Sequence, residues 1–223
     1  MKTDPNVNVV ENHLHVTLIK PFSPPILKSI IDPQIVDSLN KYCDQLIEEG
    51  GHDTSHRSIS NNSGELNCDL SGFKDFGLDL YDMTKGLFGQ FFMSVDSNSI
   101  PELDEIKNVE VHDAWFVRNF KHDYIPAHFH MDCQYSCVLF LKVPECIGDK
   151  NSRNDKPKVT EGYIDFIYGS YNTLTASSFC CKPRVGDIYI FPSFLMHAVY
   201  PLSLIHISEP TRLLSISYAG VCL

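Results

Sequence analysis

The sequence has no excess of basic charge. Lys and Arg number 18 against 28 Asp and Glu, a formal net charge of −10. Neither the first hundred residues nor the remainder is basic, so neither nucleic-acid phosphates nor an anionic membrane is expected as a main partner. No run approaches the roughly 20 consecutive apolar residues that a membrane-spanning helix requires. The first 20 residues carry Asp4, Asn6, Asn8, Glu11 and Asn12 and no apolar run of signal-peptide length, so the expected location is the cytoplasm. The eight cysteines, at 43, 68, 133, 137, 146, 180, 181 and 222, contain no paired CxxC spacing of the kind that holds structural zinc. Several lie inside apolar runs, where free Cys behaves as a small core residue, and all are read as reduced thiols. There is no internal repeat and no low-complexity tract.

The remaining composition is that of an ordinary globular chain, long enough at 223 residues to bury a core without disulfides or metals. It reads as a single domain over 1–223, with a helical part to about residue 105 and a β-rich core from 106. Leu14, Val16 and Leu18 alternate as in a short strand. Asp32-Pro33 is a helix N-cap followed by proline in the first turn. Ile35, Val36, Leu39, Tyr42, Cys43, Leu46 and Ile47 then repeat with helical period until Gly50-Gly51. The stretch 52–71 reads as a loop, and a second helix is predicted over about 76–95. From Val109 the period changes to that of strands, expected at 109–120, 135–143, 161–168, 178–181, 187–191 and 214–218. No helical pattern alternates with them, so a parallel βαβ sheet is not expected. Helices packed on a β-sandwich or jelly roll are.

Chemistry concentrates in Tyr124–Val143, YIPAHFHMDCQYSCVLFLKV. On extended backbone His130 and Asp132, two residues apart, would point to one face and reach one ion together. His197, in GDIYIFPSFLMHAVYP, is the candidate third ligand. Two His and one carboxylate on one face of an ion form the open triad of non-haem Fe(II) oxygenases. The spacing is common by chance, and a lone His near a sheet is often structural. His128 rivals His130 for the first position; its alternative is an outer hydrogen bond to a ligand.

The segments PAHFHMDCQYSCVLFLKVPE, GYIDFIYGS and KPRVGDIYIFPSFLMHAVYP resemble the 2-oxoglutarate/Fe(II) oxygenases widespread in marine phages and bacteria, as does PFSPPILKSIIDPQIVDSLNKYCDQLI near the start. The resemblance covers most of residues 20–201. It implies a mainly β fold with N-terminal helices, the double-stranded β-helix form of the jelly roll. It further implies Fe(II) on His130, Asp132 and His197, 2-oxoglutarate as co-substrate, and a hydroxylase yielding succinate and CO₂ in a host or bacterial cytoplasm. The alternatives are a non-catalytic cupin-like binding module and a phage structural protein. Relatives of the group read Arg-x-Ser-Ile-Ser near the C-terminus, where the Arg pairs with the far carboxylate of 2-oxoglutarate. Here Leu213 stands at the Arg position and Arg212 lies one residue early, which on a strand turns the side chain to the other face. Arg212, Ser215 and Tyr124 are the co-substrate candidates. Residues 202–212, LSLIHISEPTR, resemble a translated sequencing adapter, which puts the natural origin of 202–223 in question. The substrate is not legible; the loops 52–71 and 146–157 are expected to flank the mouth of the site.

Overall fold

The computed structural model describes residues 7–11, 15–19, 24–50, 64–95, 110–120, 123–145, 147, 160–170, 176–201 and 211–219. Strands β1 (Val7–Glu11), β2 (His15–Ile19) and β3 (Ile26–Ile30) lead into helix α1 (Pro33–Glu48). The Asp32 side chain accepts the Gln34 N–H at 2.7 Å, an N-cap with proline at N1. Gly50, at φ 68°, turns the chain out of the helix. Strand β4 (Gly64–Asn67), the short helix α2 (Gly72–Asp75) and helix α3 (Leu80–Val95) follow. The β core is β5 (Glu110–Asn119), β6 (Ile125–His128), β7 (Tyr135–Lys142), β8 (Ile164–Ile167), β9 (Ser178–Cys181), β10 (Asp187–Pro192), β11 (Met196–Val199) and β12 (Thr211–Ala219).

Every strand pair is antiparallel. Eight strands form one sheet in the order β1-β2-β3-β10-β7-β12-β5-β4, and four form a second in the order β6-β11-β8-β9. This is the jelly-roll layering expected from the strand pattern.

The large sheet is covered on both faces. On one, Leu139, Leu141, Ile188, Ile190, Leu214 and Ile216 meet Val36, Leu39, Tyr42 and Cys43 of α1 and Leu87, Phe88 and Phe91 of α3. On the other, Val117, Val138, Phe140, Tyr189, Phe191 and Leu213 meet Ile164, Phe166 and Val199 of the small sheet. Double coverage explains why β10 is buried at every position and β7 at all but its ends. It also explains why neither strand alternates apolar with polar.

Several local readings need correction. The loop expected over 52–71 contains β4 at its end; 51–63 lies outside the described residues, as do 148–159 and 202–210. The second helix starts at Leu80 rather than near Phe76, because the Asp79 carboxylate accepts the N–H groups of Tyr81 and Asp82 and caps it there. Strand β3, not expected from the sequence, follows Pro25 directly and pairs with β10. Among the described residues six cysteines are free thiols, and no helix is long and apolar enough to cross a membrane.

Candidate metal centre

Two short strands of the small sheet build the site. Strand β6 is an edge strand, which is why it tolerates Pro126. Its last residue, His128, lies opposite His197 of β11. A tight turn aims β11: the Leu195 N–H donates to the Pro192 carbonyl at 2.9 Å. His197 then points into the sandwich at 3% exposure, between Phe191 (4.8 Å between ring centroids) and Phe166 (6.4 Å).

The two imidazoles are fixed in the same way. His128 Nδ1 lies 2.8 Å from the Pro126 carbonyl and His197 Nδ1 lies 3.0 Å from the Leu195 carbonyl. A carbonyl can only accept, so each Nδ1 carries the proton and each Nε2 keeps its lone pair free. His130 arrives from the segment just beyond β6, where its backbone N–H donates to the Ser193 carbonyl at 3.0 Å. Its ring lies 5.1 Å from those of His128 and His197, which are 4.2 Å from each other. Donor atoms of all three histidines fall within 4.8 Å of one another. Ligands about 2.1 Å from one ion sit ~3 Å apart, a gap that small side-chain rotations can close.

Electrostatics keeps these rings neutral. Burial pushes the His130 imidazolium down to about 4, with the His128 charge adding to the effect. Burial also lowers His128, and it lowers His197 well below the ordinary range, with the charges of His128 and His130 reinforcing the shift. A neutral imidazole with a free lone pair is the form that binds a metal. The donor set fits Fe(II), as it fits other metals that favour imidazole.

Of the three ligands expected from sequence, His130 and His197 converge, together with the rival His128, while Asp132 does not join the cluster. Asp132 is exposed and sits at φ 63°, in the left-handed region. Strand geometry ends at His128, so the alternation expected of His130 and Asp132 does not operate there. The i and i+2 pair that shares the site is His128 and His130. The co-substrate candidates disperse. Arg212 faces α1, donating to the Asn40 carbonyl and side-chain oxygens at 3.1 and 3.0 Å and pairing with Asp44 at 2.7 Å. Leu213 takes the interior face of β12. Ser215 is 8% exposed and paired with Trp115, while Tyr124 is 51% exposed just ahead of β6. The sequence reading passed over Trp115, whose ring lies 5.4 Å from that of His130; nothing in its neighbourhood forms a recognisable motif.

A family model described as "Putative 2OG-Fe(II) oxygenase" matches residues 113–212, the stretch that runs from β5 through every ligand candidate. This stretch is similar to the core of the 2-oxoglutarate/Fe(II) oxygenases. Solved structures share the fold. A prolyl-4-hydroxylase from Pseudomonas putida aligns at 14% identity over 87% of this chain and 92% of its own, with TM-score 0.51. The viral collagen prolyl hydroxylase of Paramecium bursaria Chlorella virus-1, solved with 2-oxoglutarate, aligns at 15% identity over 87% and 96%, with TM-score 0.50. AviO1 from Streptomyces viridochromogenes aligns at 12% identity over 86% of each chain, with TM-score 0.51. A search of curated proteins finds no match. The family's cofactors are Fe(II) and 2-oxoglutarate.

Proposed function

We propose that this oxygenase is a hydroxylase whose Fe(II) is held by His128, His130 and His197. The observation that carries the assignment is the convergence of three neutral imidazoles, two of them locked through Nδ1 with Nε2 free. When bound, iron and 2-oxoglutarate supply the oxidising chemistry. The protein contributes geometry. Strands β6 and β11 fix the spacing of two ligands, while Phe166 and Phe191 pack against the His197 ring and Trp115 against that of His130. The similarity to two prolyl hydroxylases makes a prolyl peptide the first substrate to assay.

The same reading extends to the C-terminus. The natural tail is proposed to carry an Arg on the interior face of β12 where Leu213 stands, with 202–212 an adapter-derived replacement. The inward-facing Leu213 and the engagement of Arg212 by Asn40 and Asp44 support it. Re-sequencing the locus without that adapter tests it, since recovery of LSLIHISEPTR would remove the idea.

Anaerobic titration with Fe(II), then 2-oxoglutarate, followed by succinate release in air, tests the enzyme. Fe(II) uptake abolished by His197→Ala and succinate on aeration are expected. Absence of both metal uptake and succinate in protein with Leu213→Arg would overturn the reading. Metal uptake without succinate would instead favour the non-catalytic jelly-roll alternative.

A further inference from the structure

The three imidazoles are not held alike. His128 and His197 each donate Nδ1–H to the carbonyl two residues back, so both rings are fixed by their own strands. His130 lies past the end of β6, and no described residue hydrogen-bonds its ring. A metal ligand without an outer hydrogen bond needs another restraint, since ring orientation sets how well the lone pair meets the ion.

The restraint at hand is an indole. Trp115 meets the His130 ring at 5.4 Å with the planes 62° apart, an edge-to-face contact. Its position is rigid. It lies on β5, flanked by β4 through Asn67 and by β12 through Ser215, and its ring packs on the interior cluster of Val117, Val138 and Leu213. The small sheet supplies two ligands and their locks; the large sheet supplies the wall against which the third ring rests.

We propose that Trp115 is a positioning residue for His130, doing for that ring what backbone carbonyls do for the other two. The inference rests on the three-histidine metal reading. Trp115 is also the only tryptophan of the chain, so its emission reports directly on the site.

The test uses Co(II), whose visible ligand-field bands report coordination geometry, with the full chain. Trp115→Ala should weaken Co(II) binding about 10- to 100-fold, the usual effect of losing an outer support of a ligand, and should shift the bands. Trp115→Phe, which keeps an aromatic edge, should remain within about threefold of the parent. Phe140→Leu, in the same interior cluster but without contact to His130, should lower Tm and leave Co(II) affinity and bands unchanged. In the parent, Trp115 emission should be quenched as Co(II) saturates. Parent affinity and bands in Trp115→Ala, or in Trp115→Leu should the alanine variant not fold, would overturn the proposal, as would emission indifferent to Co(II). If His128→Ala and His197→Ala bind Co(II) like the parent, the metal reading fails and takes this inference with it. If those two variants lose the metal and Trp115→Ala does not, only the role of Trp115 fails.

Discussion

At the scale of single residues, the site is a contest between His128 and Asp132 for one coordination position. The exposure of Asp132 and its φ of 63° place it outside the cluster that His128 completes. His128→Ala and His130→Ala should each weaken Fe(II) binding at least about 100-fold, whereas Asp132→Ala should stay within about threefold, measured by anaerobic titration. Strong loss in Asp132→Ala with full binding in His128→Ala would restore the HxD triad. The same rings give the metal-free protein a pH dependence. His130 is pushed from 6.5 down to about 4 in the fold, chiefly by burial. Between those values the unfolded chain binds the proton and the folded one does not. Stability is therefore full above about pH 6.5 and declines as pH falls toward about 4. Thermal melts of the metal-free protein at pH 7.5 and 5 should show Tm lower at 5, and His130→Phe should shrink the difference.

At the scale of elements, β12 is where the proposed co-substrate anchor is tested. A one-residue offset puts Arg212 on the helix side and Leu213 on the site side of the sheet. Leu213→Arg should therefore raise 2-oxoglutarate affinity tenfold or more, read by anaerobic binding in the presence of Fe(II), because a guanidinium pairs bidentately with a carboxylate. Arg212→Ala should leave that affinity unchanged while lowering stability by about 1 kcal/mol, the modest figure for a pair whose Asp44 side chain is 52% exposed. The offset was legible in LLSIS because strand alternation is strict. Longer elements were legible too: α1 from its cap and period, β7 and β10 from their apolar runs. The four-residue strands β6 and β11 were not. Each carries a candidate ligand, but neither is long enough to show a period. Strand β4 hid in a polar stretch for the same reason. The alternation argument for Asp132 assumes extended backbone, and β6 ends at His128, before reaching it.

At the scale of the whole molecule, the eight-stranded sheet is the common wall of two cores. Side chains on alternate positions of β7 serve different layers: Leu139 faces the helices, Phe140 the small sheet. Phe140→Ala should destabilise by about 3–5 kcal/mol, as large-to-small changes in packed interiors do, and Leu139→Ala by about 2–5 kcal/mol. The two are adjacent in sequence but separated by the sheet. Denaturant melts of the double variant should thus show losses that nearly add, and a coupling above about 1 kcal/mol would show that the layers are not independent.

The pairing of His128 with His197 joins the outermost strand of the small sheet to its neighbour. An ion bound by both would act as a clasp across that seam, adding to the pairing of a strand only four residues long. Backbone amides of β6 should exchange with deuterium quickly in the metal-free protein and markedly more slowly once the ion is bound, while those of β7 stay protected throughout. A bound metal would then be part of what closes the fold, and its loss would expose a bare strand edge of the kind through which protein chains aggregate.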